Sequence, residues 1–254
     1  MRRLIVEQSA TRAYKGRPMR CTAGVHEEAA QLVAKRVPPD ERESIRVLDA
    51  GAGAGALTQR ILDLGFTDVT AWDQDPSQLT DLQTVTVGAV DLNEDFGERA
   101  GESGKFGVIL AVEIIEHVEN PYHFARQLKR LLAPDGLAVI TTPNIESAAS
   151  RVAFLRTGCP RWFGDDFYGD RDGDGGHISA LTFWQLNKAV ERAGLQVVEK
   201  SHNLQDAVIV RDPGALSTYR AALTAALFYP LMQGNRDGDI HVLAVQHAGQ
   251  SAAI

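Results

Sequence analysis

Short apolar runs alternate along this chain with longer segments whose apolar residues recur at helical spacing. A helix is predicted over residues 22–37, and an apolar strand follows at Ile45–Ala50. A glycine-rich turn, a second helix that ends near Leu64 and a second strand at Val69–Trp72 complete a strand–helix–strand unit. Units of this kind pair their strands in parallel, so the pattern predicts an α/β fold.

The alternation continues through most of the remaining sequence. Further strands are predicted at residues 84–90, 107–112, 137–142, 195–201 and 239–246, and further helices at residues 121–133, 147–155 and 183–193. The stretch after the fifth strand, residues 143–180, is too long for a passive connection and is interpreted as a ligand-binding insertion. A second insertion, apolar and helical, is predicted at residues 212–236.

Composition narrows the class of protein. The chain has 254 residues, enough for one large α/β domain, and its net charge of −7 gives no general attraction to nucleic acid or anionic membranes. The exception is the basic stretch of residues 1–21, which we interpret as a flexible arm that precedes a domain of residues 22–254. Cys21 and Cys159 form neither a disulfide framework nor a zinc signature.

The expected location of the protein is the cytoplasm. The apolar run at Leu4–Val6 is too short for a signal peptide. The longest apolar run, Ala221–Met232, is too short to span a bilayer and contains Pro230. No transmembrane segment is therefore predicted, and the pattern does not specify an oligomeric state.

The turn after the first strand carries the clearest chemistry, because Asp49 is followed by glycines at alternating positions 51, 53 and 55. The glycines let a ligand lie against bare backbone, and the next helix directs its N-terminal N–H groups at that ligand. The spacing also fits a dinucleotide-binding turn, which would indicate an NAD-dependent oxidoreductase. Asp49 argues against that alternative, because a carboxylate would repel pyrophosphate and suits a ligand with an ammonium group.

Two further acids follow the next two predicted strands. Asp73 comes 22 residues after Gly51, at the strand end where doubly wound folds bind ribose hydroxyls. Asp91 follows the third strand and either contacts the same ligand or forms a turn with its own backbone. Because the carboxyl ends of parallel strands share one edge of a sheet, these acids are expected to line a single site with Asp49.

With these motifs, residues 22–145 resemble the class I S-adenosylmethionine-dependent methyltransferases, whose first motif is an acid followed by G-x-G-x-G. The resemblance implies a Rossmann-like, doubly wound, seven-stranded sheet with an antiparallel last strand and helices on both faces. It also implies that Asp73 binds the ribose of the cofactor and that Asp91 and Leu92 contact its adenine. The residues expected to bind S-adenosyl-L-methionine are Asp49, Gly51, Ala52, Gly53, Gly55, Asp73, Asp91, Leu92 and Val112.

A second cluster of titratable residues follows the fourth strand. Glu113, Glu116 and His117 share one face of a helical turn, and His177 is expected to approach them from the far side of the insertion. Such a set can bind Mg2+ or another divalent cation; without a metal, His177 or His117 is the candidate general base. The E-x-x-E-H motif resembles those of ubiquinone-pathway O-methyltransferases and small-RNA 3′-terminal 2′-O-methyltransferases. Related methyltransferases also carry the Glu-His pair without a metal.

These features predict an S-adenosylmethionine-dependent O-methyltransferase that acts on a hydroxyl of a small molecule, a natural product or a glycan sugar. Residues 143–180 are expected to bind this acceptor. RNA is a weaker candidate, because the insertion is acidic and the predicted catalytic side has no basic stripe. The alternatives are an RNA 2′-O-methyltransferase and a catalytically inactive cofactor-binding scaffold.

Overall fold

The computed structural model describes residues 13–82, 84–99, 104–164, 176–203 and 238–249. An N-terminal hairpin consists of β1 (Ala13–Tyr14) and β2 (Arg17–Pro18). The central sheet consists of β3 (Arg46–Ala50), β4 (Asp68–Asp73), β5 (Val85–Ala89), β6 (Phe106–Ala111), β7 (Leu132–Pro143), β8 (Leu195–His202) and β9 (Ile240–His247). The helices are α1 (Val25–Arg36), α2 (Ala56–Asp63), α3 (Pro121–Leu131), α4 (Ala148–Thr157) and α5 (Phe183–Arg192).

The central sheet has the strand order β5-β4-β3-β6-β7-β9-β8. β3 pairs in parallel with β4 and β6, and parallel pairing extends outward to β5 and β7. β9 is antiparallel to both of its neighbours, β7 and β8. The predicted doubly wound, seven-stranded sheet with an antiparallel last strand is confirmed. The strand order reverses between β3 and β6, and open α/β sheets bind ligands at the carboxyl ends of strands beside such a reversal.

Helices bury both faces of the sheet. On β3, Leu48 packs in one apolar layer with α3 and α5, whereas its neighbour Val47 packs in a second layer with α1 and α2. Strands buried on both faces read as near-continuous apolar runs, which is why the sequence pattern located them well. With both faces covered, the carboxyl edge of the sheet is where loops can build a site.

Local interactions explain two element boundaries, one of them near that edge. Thr182 and Gln185 form a capping box, in which each side chain bonds the backbone of the other residue, and α5 begins there. β7 begins at residue 132 rather than at the predicted residue 137. Leu132 pairs with Phe106, and the β6–β7 ladder then shifts register before regular pairing resumes.

The structure describes the predicted arm and insertions in part. The hairpin of β1 and β2 lies within the predicted basic arm, and residues 1–12 are outside the described ranges. Helix α4 belongs to the insertion predicted at residues 143–180, of which 165–175 are not described. The apolar insertion predicted at residues 212–236 also lies outside the described residues. No helix in the described ranges has the length and hydropathy needed to cross a membrane.

Candidate active site

The glycine-rich turn joins β3 to α2 at the carboxyl edge, and its three glycines have different surroundings. All three have positive φ, 82° at Gly51, 54° at Gly53 and 77° at Gly55. A Cβ on Gly51 would lie 2.0 Å from Cδ1 of Ile114, and one on Gly55 would lie 2.9 Å from Cδ1 of Leu82. A Cβ on Gly53 would meet nothing within 4 Å. Of the three glycines, Gly53 alone presents bare backbone to open space, and the others permit close packing of the turn.

Hydrogen bonds to the end of β4 hold this turn in place. The N–H groups of Gly51 and Ala52 donate to the carbonyl of Trp72, at 2.8 and 2.9 Å. The N–H of Gly53 donates to Oδ2 of Asp73 at 2.7 Å. The carboxylate predicted to bind ribose therefore also fixes the backbone predicted to bind the methionyl group, and the two predicted subsites form one connected unit.

Asp49 is buried at the end of β3, immediately before the turn, with 2% of its surface exposed. Its Oδ2 accepts a hydrogen bond of 2.6 Å from the hydroxyl of Thr58, in the first turn of α2. Burial raises the pKa of Asp49 from its usual value near 3.8 to about 6; Thr58 lowers the pKa and the Asp73 carboxylate raises it further. Such a carboxylate opposes folding when ionised and favours the binding of a positively charged group.

Asp49→Asn should raise the free energy of unfolding of the ligand-free protein by about 1–3 kcal/mol near pH 7. The pKa of Asp49 is higher in the folded chain than in the unfolded chain, so folding takes up a proton between these two values. Ionisation at higher pH therefore weighs against the folded state in the wild type, and the amide removes this penalty. Urea denaturation of both proteins from about pH 3.5 to about pH 8 measures the difference.

The gain should fall to a few tenths of a kcal/mol at about pH 3.5, where Asp49 is protonated in the folded chain and mostly protonated in the unfolded chain. Glu191→Gln is the control, because the pKa of this exposed carboxylate is lowered by its hydrogen bond from Lys188. That substitution should give no gain at any pH. An Asp49→Asn gain of the same size at both ends of the pH range would contradict an ionic origin.

The other predicted cofactor-binding residues also lie at the ends of strands. Asp91 follows β5, and its Oδ1 accepts hydrogen bonds from the backbone N–H and side-chain amide of Asn93, at 2.9 and 3.2 Å. This is the local turn that the sequence allowed, and a contact of Asp91 with adenine stays a prediction. Leu92 is half-buried against the core, and Val112 is buried directly after β6.

Glu113 follows β6 in the left-handed backbone region, with φ of 56°. Its N–H donates to Oγ1 of Thr141 at 2.8 Å, and the Thr141 hydroxyl donates to Oε1 of Glu113 at 2.7 Å. This reciprocal pair joins the loop after β6 to β7 and stabilises a conformation that residues other than glycine seldom adopt. Burial raises the pKa of Glu113 to about 7.

Glu116, His117 and His177 meet at the same edge, with one ligand atom of each lying within 4.8 Å of the others. The rings of His117 and His177 are edge to face, with centroids 4.7 Å apart. Glu116 is fully buried, and neither carboxylate oxygen has a hydrogen-bond partner among the described residues. The structure thus brings three of the four predicted metal ligands together and leaves Glu113 outside the group, bonded to Thr141.

Backbone contacts on both sides of His177 hold it near this turn. The N–H of Ile178 donates to the carbonyl of Glu116 at 2.9 Å. Nδ1 of His117 lies 2.8 Å from the carbonyl of Gly176, and because a carbonyl only accepts, this nitrogen carries the proton. In a neutral imidazole the lone pair is then on Nε2, the arrangement found in metal-binding histidines.

Burial also dominates the electrostatics of the group. The pKa of Glu116 is raised well above its usual range by burial and then by the charge of Glu113. The pKa of His177 is lowered to about 4 by burial and by the neighbouring His117. A neutral imidazole beside two carboxyl groups that resist ionisation is an environment in which a bound cation would remove an electrostatic penalty.

Two residues that the sequence pattern does not single out extend this polar group across the sheet. Thr142 and His241 are direct cross-strand partners on β7 and β9, and the Thr142 hydroxyl lies close enough to Glu116 to lower its pKa without meeting hydrogen-bond geometry. Thr142 Oγ1 and His241 Nε2 are buried without a hydrogen-bond partner in the described chain. Nδ1 of His241 lies 3.2 Å from Nε2 of His202. Their position at strand ends is the one sequence signal that could have identified them.

Comparison with known proteins identifies the family of this chain. Residues 22–200 match the family model described as a methyltransferase domain. The ubiquinone biosynthesis O-methyltransferase of Caulobacter sp. (strain K31) is 36% identical over 110 residues. That match covers 40% of this chain and 42% of the relative, so the chain matches less than half of the length of that protein.

Solved structures share the fold at low sequence identity. An S-adenosylmethionine-dependent methyltransferase from Archaeoglobus fulgidus superposes with a TM-score of 0.56 and 14% identity, covering 87% of this chain and 93% of the other. The 1,6-didemethyltoxoflavin-N1-methyltransferase of Burkholderia thailandensis, solved with S-adenosylhomocysteine, gives a TM-score of 0.54 and 18% identity over 88% of this chain and 77% of the other. Because the family model matches most of the chain and the sheet has the expected topology, the chain belongs to the class I S-adenosylmethionine-dependent methyltransferase family.

Proposed function

We propose that this protein transfers the methyl group of S-adenosylmethionine to a hydroxyl of a small molecule, natural product or glycan sugar, and that a divalent cation assists the transfer. The observation that carries the proposal is the group of Glu116, His117 and His177 beside the glycine turn. The turn that carries Glu116 is in close contact with the glycine turn, because a Cβ on Gly51 would clash with Ile114, which belongs to the same turn as Glu116. The candidate metal ligands therefore lie near the predicted methionyl subsite.

The donor set supports a cation on its own chemistry. Both oxygens of Glu116 are buried without a described partner, and buried carboxylates are ordinarily paired or bound to a metal. One carboxylate with two imidazoles suits Mn2+, Fe2+, Co2+ or Zn2+ better than Mg2+, which prefers oxygen donors. Glu116, His117 and His177 would hold the ion, and Glu113, whose Oε1 is bonded to Thr141, lies outside this group.

The protein needs to contribute little to the activation of the methyl group, because the sulfonium already activates it. The acceptor oxygen attacks the methyl carbon, the carbon–sulfur bond breaks, and S-adenosylhomocysteine leaves with the bonding electron pair. The protein must align the two reactants and take up the hydroxyl proton. A bound cation would lower the pKa of the acceptor hydroxyl. Without it, the proton would pass to an imidazole nitrogen of His117 or His177.

Two observations support the choice of a hydroxyl acceptor that is not RNA. The matched Caulobacter relative is named as an O-methyltransferase. The net charge of the chain, −7, disfavours a polyanionic substrate. A pKa near 4 also makes His177 a weak base at neutral pH, which favours its role as a neutral metal ligand.

The direct test is methyl transfer by the purified full chain before and after chelation. Catechols, sugars and an oligonucleotide with a free 3′-terminal ribose form the acceptor panel, and methylated products are identified by mass spectrometry. We expect a small hydroxyl compound to be methylated, with at least about tenfold loss after EDTA treatment and recovery with Mn2+ or Zn2+. Unchanged turnover after stripping would exclude the metal. Methylation of the oligonucleotide alone would move the acceptor to RNA.

A further inference from the structure

The N-terminal hairpin of β1 and β2 is fastened to α2, the helix that leaves the glycine turn. The hydroxyl of Tyr14 donates to Oδ2 of Asp63 at 2.6 Å, and the ammonium of Lys15 donates to Oδ1 of the same carboxylate at 2.7 Å. The guanidinium of Arg60 stacks on the Tyr14 ring, 3.9 Å from its centroid. Asp63 and Arg60 both lie on the second half of α2, so these contacts fix the position of the hairpin relative to that helix.

From this position, Arg17 extends to two loops at the carboxyl edge of the sheet. Its Nη1 donates to the carbonyl of Ala54 at 3.1 Å, and its Nη2 donates to the carbonyl of Thr80 at 2.7 Å. Ala54 is part of the glycine turn. Thr80 belongs to the loop that follows Asp73, the carboxylate predicted to bind ribose. One planar guanidinium therefore joins both loops, a geometry that a lysine ammonium does not reproduce.

Near Arg17, the two loops also contact each other through a small group of apolar side chains. Ala52 of the turn packs with Leu79 and Leu82 of the second loop in a small apolar cluster. A Cβ on Gly55 would lie 3.4 Å from Nη1 of Arg17 and 2.9 Å from Leu82, so Gly55 leaves the space that this packing uses. The side chain of Arg17 adds two hydrogen bonds from a cation across the same junction.

We propose that Arg17 is a positioning residue for the cofactor: it fixes the distance between the turn expected to hold the methionyl group and the loop next to the ribose-binding carboxylate. The inference rests on the proposed function, because it takes the cofactor to be S-adenosylmethionine. Coupling of this kind is reciprocal, so a cofactor that orders the two loops also holds the hairpin in place, by the same factor.

The test compares S-adenosylhomocysteine binding by calorimetry in the wild type, Arg17→Met and Arg17→Lys, using the full chain. Arg17→Met should raise the Kd at least about tenfold, equivalent to about 1.4 kcal/mol. Arg17→Lys should give an intermediate Kd, because one ammonium cannot make the same bidentate contact. Lys35→Met is the control, since this exposed lysine pairs with Glu199 on β8, away from the hairpin and both loops, and its Kd should stay within about twofold.

Trypsin digestion supplies a readout that a purely structural role would not change. Arg17 precedes Pro18, so its replacement removes no tryptic site, and the hairpin can be followed by cleavage after Lys15 and Arg20. S-adenosylhomocysteine should slow this cleavage about tenfold in the wild type and less than twofold in Arg17→Met.

The outcomes separate the two proposals. If the wild type binds S-adenosylhomocysteine and the Arg17 variants bind it equally well, the positioning role is wrong and the proposed function stands. The same conclusion follows if Arg17→Met lowers the melting temperature with no change in Kd or protection. If the wild type binds NAD and no S-adenosylhomocysteine, the proposed function fails and this inference fails with it.

Discussion

His177→Ala should lower kcat by about 10²- to 10⁴-fold while the Kd for S-adenosylhomocysteine stays within about twofold of the wild type. His177 lies with Glu116 and His117 in the candidate metal group and is not among the residues predicted to bind the cofactor. Its loss should therefore remove acceptor activation and leave cofactor contacts intact. Steady-state methyl transfer and calorimetry measure the two quantities on one preparation.

The matched control is His123→Ala, a half-buried histidine on α3 whose ring lies 3.2 Å from the carbonyl of Glu94. Its kcat should stay within about twofold of the wild type. Mn2+ binding, followed by electron paramagnetic resonance, decides which role of His177 applies. Loss of one bound equivalent in His177→Ala indicates a ligand, whereas full metal binding with low turnover indicates a base. Unchanged turnover would remove both roles.

Asp73→Asn should raise the Kd for S-adenosylhomocysteine by about 10²- to 10³-fold. The carboxylate is predicted to bind the ribose hydroxyls, and hydrogen bonds to a charged group each contribute about 1.5–3 kcal/mol. Its Oδ2 also accepts the N–H of Gly53, so the substitution weakens the turn as well as the ribose contact. Calorimetric titration gives the Kd, and urea denaturation separates any loss of folding.

Asp75→Asn serves as the control at a neighbouring carboxylate. The Asp75 side chain accepts the N–H of Ser77 and starts a short helical turn at Pro76, away from the glycine turn. Its replacement should change the Kd by less than about threefold. Equal effects of both substitutions would show that Asp73 acts by general charge and not through direct contact with the ribose.

The strands and the acids that end them were predictable because each depends on local pattern. Apolar runs bounded by glycine and proline located β3, β4 and β6, and parallel pairing brought Asp49 and Asp73 to one edge. The sequence position of a strand end is enough to assign its edge of the sheet. It does not say which oxygen bonds to which partner, and the bond between Asp73 and Gly53 was not foreseen.

Contacts between distant segments could not be read from the sequence. Glu113 was predicted to be a metal ligand with Glu116, but its left-handed backbone and its bond to Thr141 direct it elsewhere, and φ leaves no sequence signal at a glutamate. The cross-strand pairing of Thr142 with His241 depends on β9 lying between β7 and β8 in the sheet. Arg17 was predicted to be part of a basic arm, because composition gives its charge and does not show the two carbonyls to which it donates hydrogen bonds.

The way His177 is held has a consequence for how this chain can diversify. Its neighbours Gly176 and Ile178 bond directly to the Glu116–His117 turn, and its ring also contacts the ring of Phe163 and the backbone of Trp162. The segment that follows α4 and the candidate metal group therefore share one imidazole. Sequence changes at Trp162 or Phe163 are expected to alter metal affinity together with any effect on acceptor choice.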